Sequence, residues 1–153
     1  MTDTIDGPDT HTQDVVIERH FPVDPARVFE IVTQPEHLAD WWGPEGLSLI
    51  DTMLDLSRAG PWQSTMVNAD GARYKVSGRV VTVDPPRHVE FTWGWHDAHD
   101  TRGHESRVRF DVRGDGNGGT IFRLIHTALP DAESVANHTG GWTSSLRKLE
   151  RKT

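Results

Sequence analysis

The chain has 153 residues, near the commonest size of a single domain, and about 70% of its unfolded surface should be buried on folding. Hydrophobic residues make up 35% and charged residues 25%, as in soluble globular proteins, and no run of about 18 apolar residues predicts a membrane span. The net charge of -7 argues against a nucleic-acid partner, and the absence of cysteine excludes disulfides, thiolate metal sites and a cysteine nucleophile.

The N-terminal segment 1–13 has neither a basic start nor an apolar core, so it does not look like a signal peptide. We therefore expect a disordered leader followed by a single domain over 14–153. Together with the absence of cysteine, the lack of a signal peptide favours a cytoplasmic protein.

The glycine-rich stretch 114–119 is not followed by a lysine, so it predicts a turn and not a phosphate-binding loop. We therefore expect no cofactor.

The first elements are one strand and two short helices. Their predicted bounds are a strand over 14–21, a helix over 26–33 and a helix over 36–42. Asp24 is placed as the N-cap of the first helix, with Pro25 at its first position. Pro35 breaks the helical pattern, so two helices are expected instead of one.

From residue 47 onward the apolar pattern changes to a period of two, which predicts consecutive strands. The predicted strands cover 47–56, 62–67, 73–83, the stretch around 89–95, 105–112 and 120–128. Turns are predicted at Asn68–Gly71 and at 114–119, and a polar loop at 96–103. Gly78, inside a strand, indicates a bulge or a close approach of another backbone.

A long helix closes the chain after Asp131. Its apolar stripe consists of Val135, His138 or Thr139, Trp142, Leu146 and Leu149. The pair Gly140–Gly141 costs about 1 kcal/mol per residue relative to alanine, so it indicates a bend or a closely packed backbone. One helix is thus expected to cover a large antiparallel sheet almost alone, which is a shape that encloses a pocket.

Five stretches carry a resemblance to a known family. They are 16–29, 38–44, 55–62, 78–93 and 138–142, and they include Leu-Ala-Asp-Trp-Trp-Gly-Pro and His-Thr-Gly-Gly-Trp. In this order they resemble the START-like SRPBCC superfamily, and within it AHSA-like proteins, which are similar to the C-terminal domain of activators of a heat-shock chaperone ATPase. The resemblance implies an α+β helix-grip fold of order β-α-α-β6-α, with a curved antiparallel sheet around the C-terminal helix.

That superfamily is functionally mixed. It includes lipid and polyketide binders, cyclases, stress-linked proteins and members without an assigned activity, and it shares no catalytic residue set. The resemblance therefore implies a cavity between sheet and helix but assigns no catalytic residue.

Aromatic and neighbouring side chains on the inward strand positions and on the closing helix are the candidates for a ligand site. The candidates are Trp62, Phe91, Trp93, Trp95, Phe110, Phe122, Leu124, His126, His138 and Trp142. They would line an apolar pocket with few polar anchors. The other interpretation of the tryptophans is that they are core and helix-packing residues.

His126 lies in phase with an apolar strand face, so it is either a core histidine bonded to a backbone or hydroxyl group, or a ligand-orienting group or general base. It could pair with His138.

Strand arginines at 79, 107 and 123 are expected mostly on the solvent face of the sheet. An arginine that faced inward would anchor the carboxylate of a ligand. The histidines and acidic residues of 96–105 lack a recognised metal spacing, so we expect a solvated loop and no metal site.

Three functions remain open. The first is binding of a small hydrophobic or aromatic ligand, lipid-like or polyketide-like. The second is a cyclase or dehydratase that uses His126 on such a ligand, and the third is a chaperone-associated interaction domain. An exposed edge strand would also allow a homodimer.

Overall fold

A computed structural model describes residues 14–153, so the predicted leader 1–13 lies outside the described residues. The elements, in chain order, are β1 Val15–Phe21, α1 Pro25–Thr33, α2 Pro35–Trp41, β2 Ser48–Met53, β3 Gly60–Val67, β4 Arg73–Asp84, β5 His88–His96, β6 Arg102–Gly114, β7 Thr120–Thr127 and α3 Ala132–Lys152. The seven strands form one curved antiparallel sheet in the order β1-β7-β6-β5-β4-β3-β2. The predicted α+β helix-grip architecture is confirmed.

Local sequence signals account for the helix boundaries. Asp24 caps α1 by accepting a hydrogen bond from the backbone N–H of Arg27 at 2.8 Å, and Asp131 caps α3 by accepting one from Ser134 at 2.8 Å. Gln34 is extended just before Pro35, because the residue before a proline avoids the helical region. The predicted break between α1 and α2 is therefore confirmed.

Gly78 lies where two strands and a tryptophan meet. A Cβ atom at this position would come within 1.9 Å of the carbonyl oxygen of Thr92, on the neighbouring strand β5. The same oxygen accepts a hydrogen bond from the indole N–H of Trp62 at 3.1 Å. The predicted close approach is thus present, and the register shift of β4 comes slightly later, between Val80 and Thr82.

The concave face of the sheet carries the core. Its buried side chains include Val76, Val80, Phe91, Val108, Phe110, Phe122 and Leu124. On β6 and β7 these alternate with solvent-facing residues, so the predicted phase of both strands is confirmed. The helix α3 buries Trp142, Leu146 and Leu149 against this face.

The expectation that α3 covers the sheet almost alone is wrong. The helix α1 packs against β6 and β7, and α2 packs against α3. Four apolar residues of α1 are buried, namely Val28, Phe29, Ile31 and Val32. The two short helices thus cover part of the concave face, because their apolar stripes need burial as much as that of α3 does.

The polar loop before β6 and the course of α3 differ from the sequence-based expectation. The polar loop is shorter than 96–103, because β5 continues to His96 and β6 begins at Arg102. The pair Gly140–Gly141, where a bend was one expectation, does not interrupt α3, which runs continuously from Ala132 to Lys152. A Cβ on Gly141 would lie 3.7 Å from Pro44, an ordinary van der Waals contact with the segment after α2. Among the described helices, none combines the length and the apolar character needed to cross a membrane.

Candidate functional site

A cavity of about 710 Å³ lies between the first half of α3, the segment that follows α2, and strands β3 to β5. Its aromatic walls are Trp42, Tyr74, Trp93, Trp95 and Trp142, and Leu47 and Met66 add aliphatic surface. The volume falls within the range of about 300–1,000 Å³ that is typical of small-molecule sites. The walls can therefore surround a ligand with a sizeable apolar body.

Two tryptophan–histidine pairs hold one side of this cavity. The indole N–H of Trp95 donates to Nε2 of His138 at 2.9 Å, and that of Trp142 donates to Nδ1 of His126 at 3.0 Å. The two imidazole rings are themselves adjacent, with centroids 4.8 Å apart. The pairing of the histidines that the sequence left open is thus present as a ring contact.

The other nitrogen of each histidine is also bonded, and this fixes the tautomers. Nδ1 of His138 lies 2.7 Å from the carbonyl oxygen of Ser134, to which it must donate because its Nε2 is an acceptor. Nε2 of His126 lies 2.7 Å from the hydroxyl of Ser106 and donates to it. Ser106 in turn lies 3.4 Å from the carbonyl oxygen of Trp93. His126 is therefore a satisfied core histidine.

Both histidines are neutral near pH 7. Burial, helped by the neighbouring His138, lowers the pKa of His126 from 6.5 to about 3. Burial also lowers the pKa of His138, although its hydrogen bond to the Ser134 backbone acts in the opposite direction. Neither ring offers a free lone pair to a ligand, because both acceptor nitrogens already receive an indole N–H.

The structure separates the ten sequence-predicted ligand residues into two groups. Trp93, Trp95, His138 and Trp142 line the cavity. The other six, which are Trp62, Phe91, Phe110, Phe122, Leu124 and His126, are fully buried and do not line it. The lining role expected for these six is corrected, because the cavity occupies only one end of the concave face and packed side chains fill the rest.

Several lining residues were missed by sequence reasoning. They are Trp42, Gly43, Pro44, Glu45, Leu47, Met66, Asn68, Tyr74, Pro130, the N-cap residue Asp131 and, within α3, Glu133, Ser134, Asn137, Gly141 and Ser145. Two sequence signals pointed to some of them: the motif Leu-Ala-Asp-Trp-Trp-Gly-Pro, which contains Trp42, Gly43 and Pro44, and the pair of glycines in α3, of which Gly141 faces Pro44. Because Gly141 of α3 faces Pro44, α3 and the segment after α2 meet at the cavity.

The arginines considered as anchors lie outside the cavity. Arg79, Arg107 and Arg123 are exposed on the outer face of the sheet. Arg107 pairs with Glu90 at 2.8 Å and Arg123 with Glu18 at 3.3 Å, as expected for exposed cross-strand ion pairs of modest value. An arginine anchor for a ligand carboxylate is therefore not present on these strands.

The histidines around the β5–β6 turn form ordinary hydrogen bonds. His96 pairs with Asp100 at 2.9 Å, and Nε2 of His104 lies 2.6 Å from the carbonyl oxygen of Ala128. Asp100 also binds Lys75 at 3.0 Å. Within residues 14–153, no three histidine or acidic side chains converge as a metal site would require.

Comparison with known proteins agrees with this architecture. Residues 22–152 match the family model described as activator of Hsp90 ATPase homolog 1-like protein. An AHSA1 protein of known crystal structure from Silicibacter pomeroyi is 49% identical, with 91% of this chain and 96% of that chain covered and a TM-score of 0.87.

More distant structures share the fold. A crystal structure from Chromobacterium violaceum, 22% identical, has a TM-score of 0.80 over 91% of this chain and 95% of its own. One from Mycobacterium smegmatis, also 22% identical, has a TM-score of 0.75 over 94% of this chain and 91% of its own. Among curated proteins, none is detectably similar in sequence. The chain belongs to the AHSA1-like family of the SRPBCC helix-grip superfamily.

Proposed function

We propose that this protein binds a small molecule with a hydrophobic or aromatic body in the cavity between α3 and the sheet. The observation that carries the proposal is the cavity of about 710 Å³ with four tryptophans in its walls. Sites for small organic molecules are usually concave, largely apolar and formed before the ligand arrives. Two of these tryptophans are held in place by His126 and His138, so their positions are fixed before binding.

An acid/base enzyme, such as a cyclase or dehydratase, has less support. A general base must present a free lone pair within hydrogen-bond reach of its substrate. His126 does not line the cavity, and its acceptor nitrogen receives the N–H of Trp142. His138 does line the cavity, but its acceptor nitrogen receives the N–H of Trp95.

A chaperone-associated role rests on the family description and has no clear surface to support it. In the described part of the chain the large exposed apolar side chains are Val16, Met53, Tyr74 and Val81. Val16 and Met53 belong to β1 and β2, which are opposite edges of the sheet. These side chains therefore do not form one contiguous patch of the kind that marks a stable protein interface.

Native mass spectrometry of the purified protein, followed by extraction of any retained molecule, is the first test. Recovery of an apolar compound is expected, and the same compound should change the tryptophan fluorescence of the emptied protein, because four tryptophans line the cavity. If no compound is retained, a panel of lipids and aromatic compounds is tested by thermal shift. The proposal fails if no member raises the melting temperature.

Two adjacent glycines of α3 provide a matched pair of variants. Gly141 lines the cavity, and a Cβ there would be in ordinary contact with Pro44 at 3.7 Å, so Gly141→Leu should fill part of the cavity. Gly140 is exposed and a Cβ there meets nothing within 4 Å, so Gly140→Leu adds the same side chain to solvent. We expect at least a tenfold loss of affinity for Gly141→Leu alone. Equal affinity in both variants would place the ligand elsewhere.

A further inference from the structure

The tryptophans of the cavity present ring surface to a ligand and no hydrogen-bond donor. The indole N–H groups of Trp95 and Trp142 are bonded to histidines. Those of Trp42 and Trp93 are buried, without a partner among residues 14–153. All four indoles therefore line the cavity without offering it an N–H, and the face of an indole ring attracts cations.

The charged side chains that line the cavity are all acidic. Within residues 14–153 they are Glu45, Asp131 and Glu133, and neither lysine nor arginine is among the lining residues of this range. Glu45 is paired with Arg151 at 2.6 Å, and Asp131 caps α3. Glu133 is exposed and has no hydrogen-bond or ion-pair partner within the described part of the chain. The mouth of the cavity thus keeps uncompensated negative charge.

Neighbouring cationic groups do not reverse this balance. Lys148, one turn from Arg151 on α3, lies outside the lining, 3.4 Å from the carbonyl oxygen of Trp42, and interacts with Glu45, so Glu45 is balanced by two cations. His138, the one histidine that lines the cavity among the described residues, is neutral because burial lowers its pKa. The positive end of the α3 dipole is equivalent to about half an elementary charge, which is less than the charge of Asp131 and Glu133 together.

The geometry points to an organic cation as the ligand: a quaternary ammonium or a protonated amine that carries an apolar body. This inference rests on the proposed binding function and specifies its ligand class. The cationic group would lie over the indole rings near the acidic mouth, and the apolar body would contact Leu47 and Met66. A fatty acid or aromatic acid would instead place its carboxylate beside like charges, with no cationic side chain in the lining to pair with it.

Three probes with the same octyl chain separate this inference from the binding function itself. They are octyltrimethylammonium, 1-octanol and octanoate, titrated separately below their aggregation limits and followed by tryptophan fluorescence and calorimetry. We expect the ammonium compound to bind at least tenfold more tightly than octanol and octanoate to bind most weakly. Equal binding of the ammonium compound and octanol would overturn the inference and leave the binding function standing. If none of the three binds, the inference is overturned, and the panel of lipids and aromatic compounds decides the binding function.

A charge-neutralising variant tests the acidic mouth directly. Glu133→Gln keeps the size of the side chain and disturbs no contact of the described residues, and Glu36→Gln, on α2 and outside the cavity, is its control. We expect Glu133→Gln to weaken the ammonium compound at least threefold at low salt and to leave octanol unchanged. Two results would contradict this expectation. Glu133→Gln could weaken the ammonium compound and octanol equally, or Glu133→Gln and Glu36→Gln could weaken the ammonium compound equally. Either result would show that the Glu133 carboxylate does not attract the charge of the ligand.

Discussion

Acidification should destabilise the folded protein through His126. Burial lowers the pKa of this histidine to about 3 in the folded state, from 6.5 as the reference for the unfolded chain. Between these pH values the unfolded chain binds a proton that the folded protein does not. The stabilisation is therefore complete above pH 6.5 and is lost progressively as the pH falls toward 3. At pH 5 the loss from this one group amounts to about 2 kcal/mol relative to pH 8.

Urea unfolding at pH 8 and pH 5 measures the effect, with His126→Gln as the informative variant. A glutamine amide can accept from Trp142 and donate to Ser106, as His126 does, but it does not titrate. The loss of unfolding free energy between the two pH values should be smaller in this variant by about 2 kcal/mol. His99→Gln removes an exposed histidine of the β5–β6 turn, and it should lose as much stability as the unsubstituted protein.

The comparison isolates His126 because every other titrating group is present in both proteins. An equal loss of stability in the unsubstituted protein and in His126→Gln would refute the reasoning. It would mean either that His126 accepts a proton in the folded state or that the Trp142–His126–Ser106 chain is not formed. A chemical-shift titration of His126 would then decide between these two explanations.

Three further substitutions test the packing around the site, each by chemical unfolding. Ser106→Ala leaves the buried N–H of His126 without its acceptor and should cost about 1–3 kcal/mol; no loss would contradict the assigned tautomer. Gly78→Ala should cost about 3 kcal/mol or more, because its Cβ would overlap the carbonyl oxygen of Thr92. Gly140→Ala should stabilise α3 by about 0.5–1 kcal/mol, since a Cβ there meets nothing, and a loss would argue against an exposed helical site.

The inward face of β6 and β7 could be predicted from the sequence because side chains alternate with a period of two. Phe110, Phe122 and Leu124 were assigned to the concave face and are buried there. The same reasoning left the strand arginines undecided, since a single bulge reverses the phase. In the structure Arg107 and Arg123 lie on the outer face of the sheet, because buried and solvent-facing residues alternate along β6 and β7.

The sequence could not predict which inward-facing residues line the cavity and which lie in the packed core. Trp93 and Phe91 have the same phase on β5, yet Trp93 lines the cavity and Phe91 lies in the packed core. Phe91 packs on Phe110, with ring centroids 5.3 Å apart, and Trp41 of α2 in turn covers Phe110, with ring centroids 6.0 Å apart. Strand periodicity carries no information on where a separate helix settles, so only tertiary packing decides which inward residues meet the cavity.

The buried histidines make most sense as supports for the walls of the cavity. A buried indole N–H without an acceptor costs about 1–3 kcal/mol, and an imidazole can receive it without adding charge while its pKa stays low. His138 does this for Trp95 and His126 does it for Trp142. For either histidine to act as a base, an indole would have to release it, and the wall would loosen as the proton arrived. Neither histidine can therefore accept a proton while it holds its tryptophan in place. The hydrogen bonds in the structure are those that keep the cavity walls rigid.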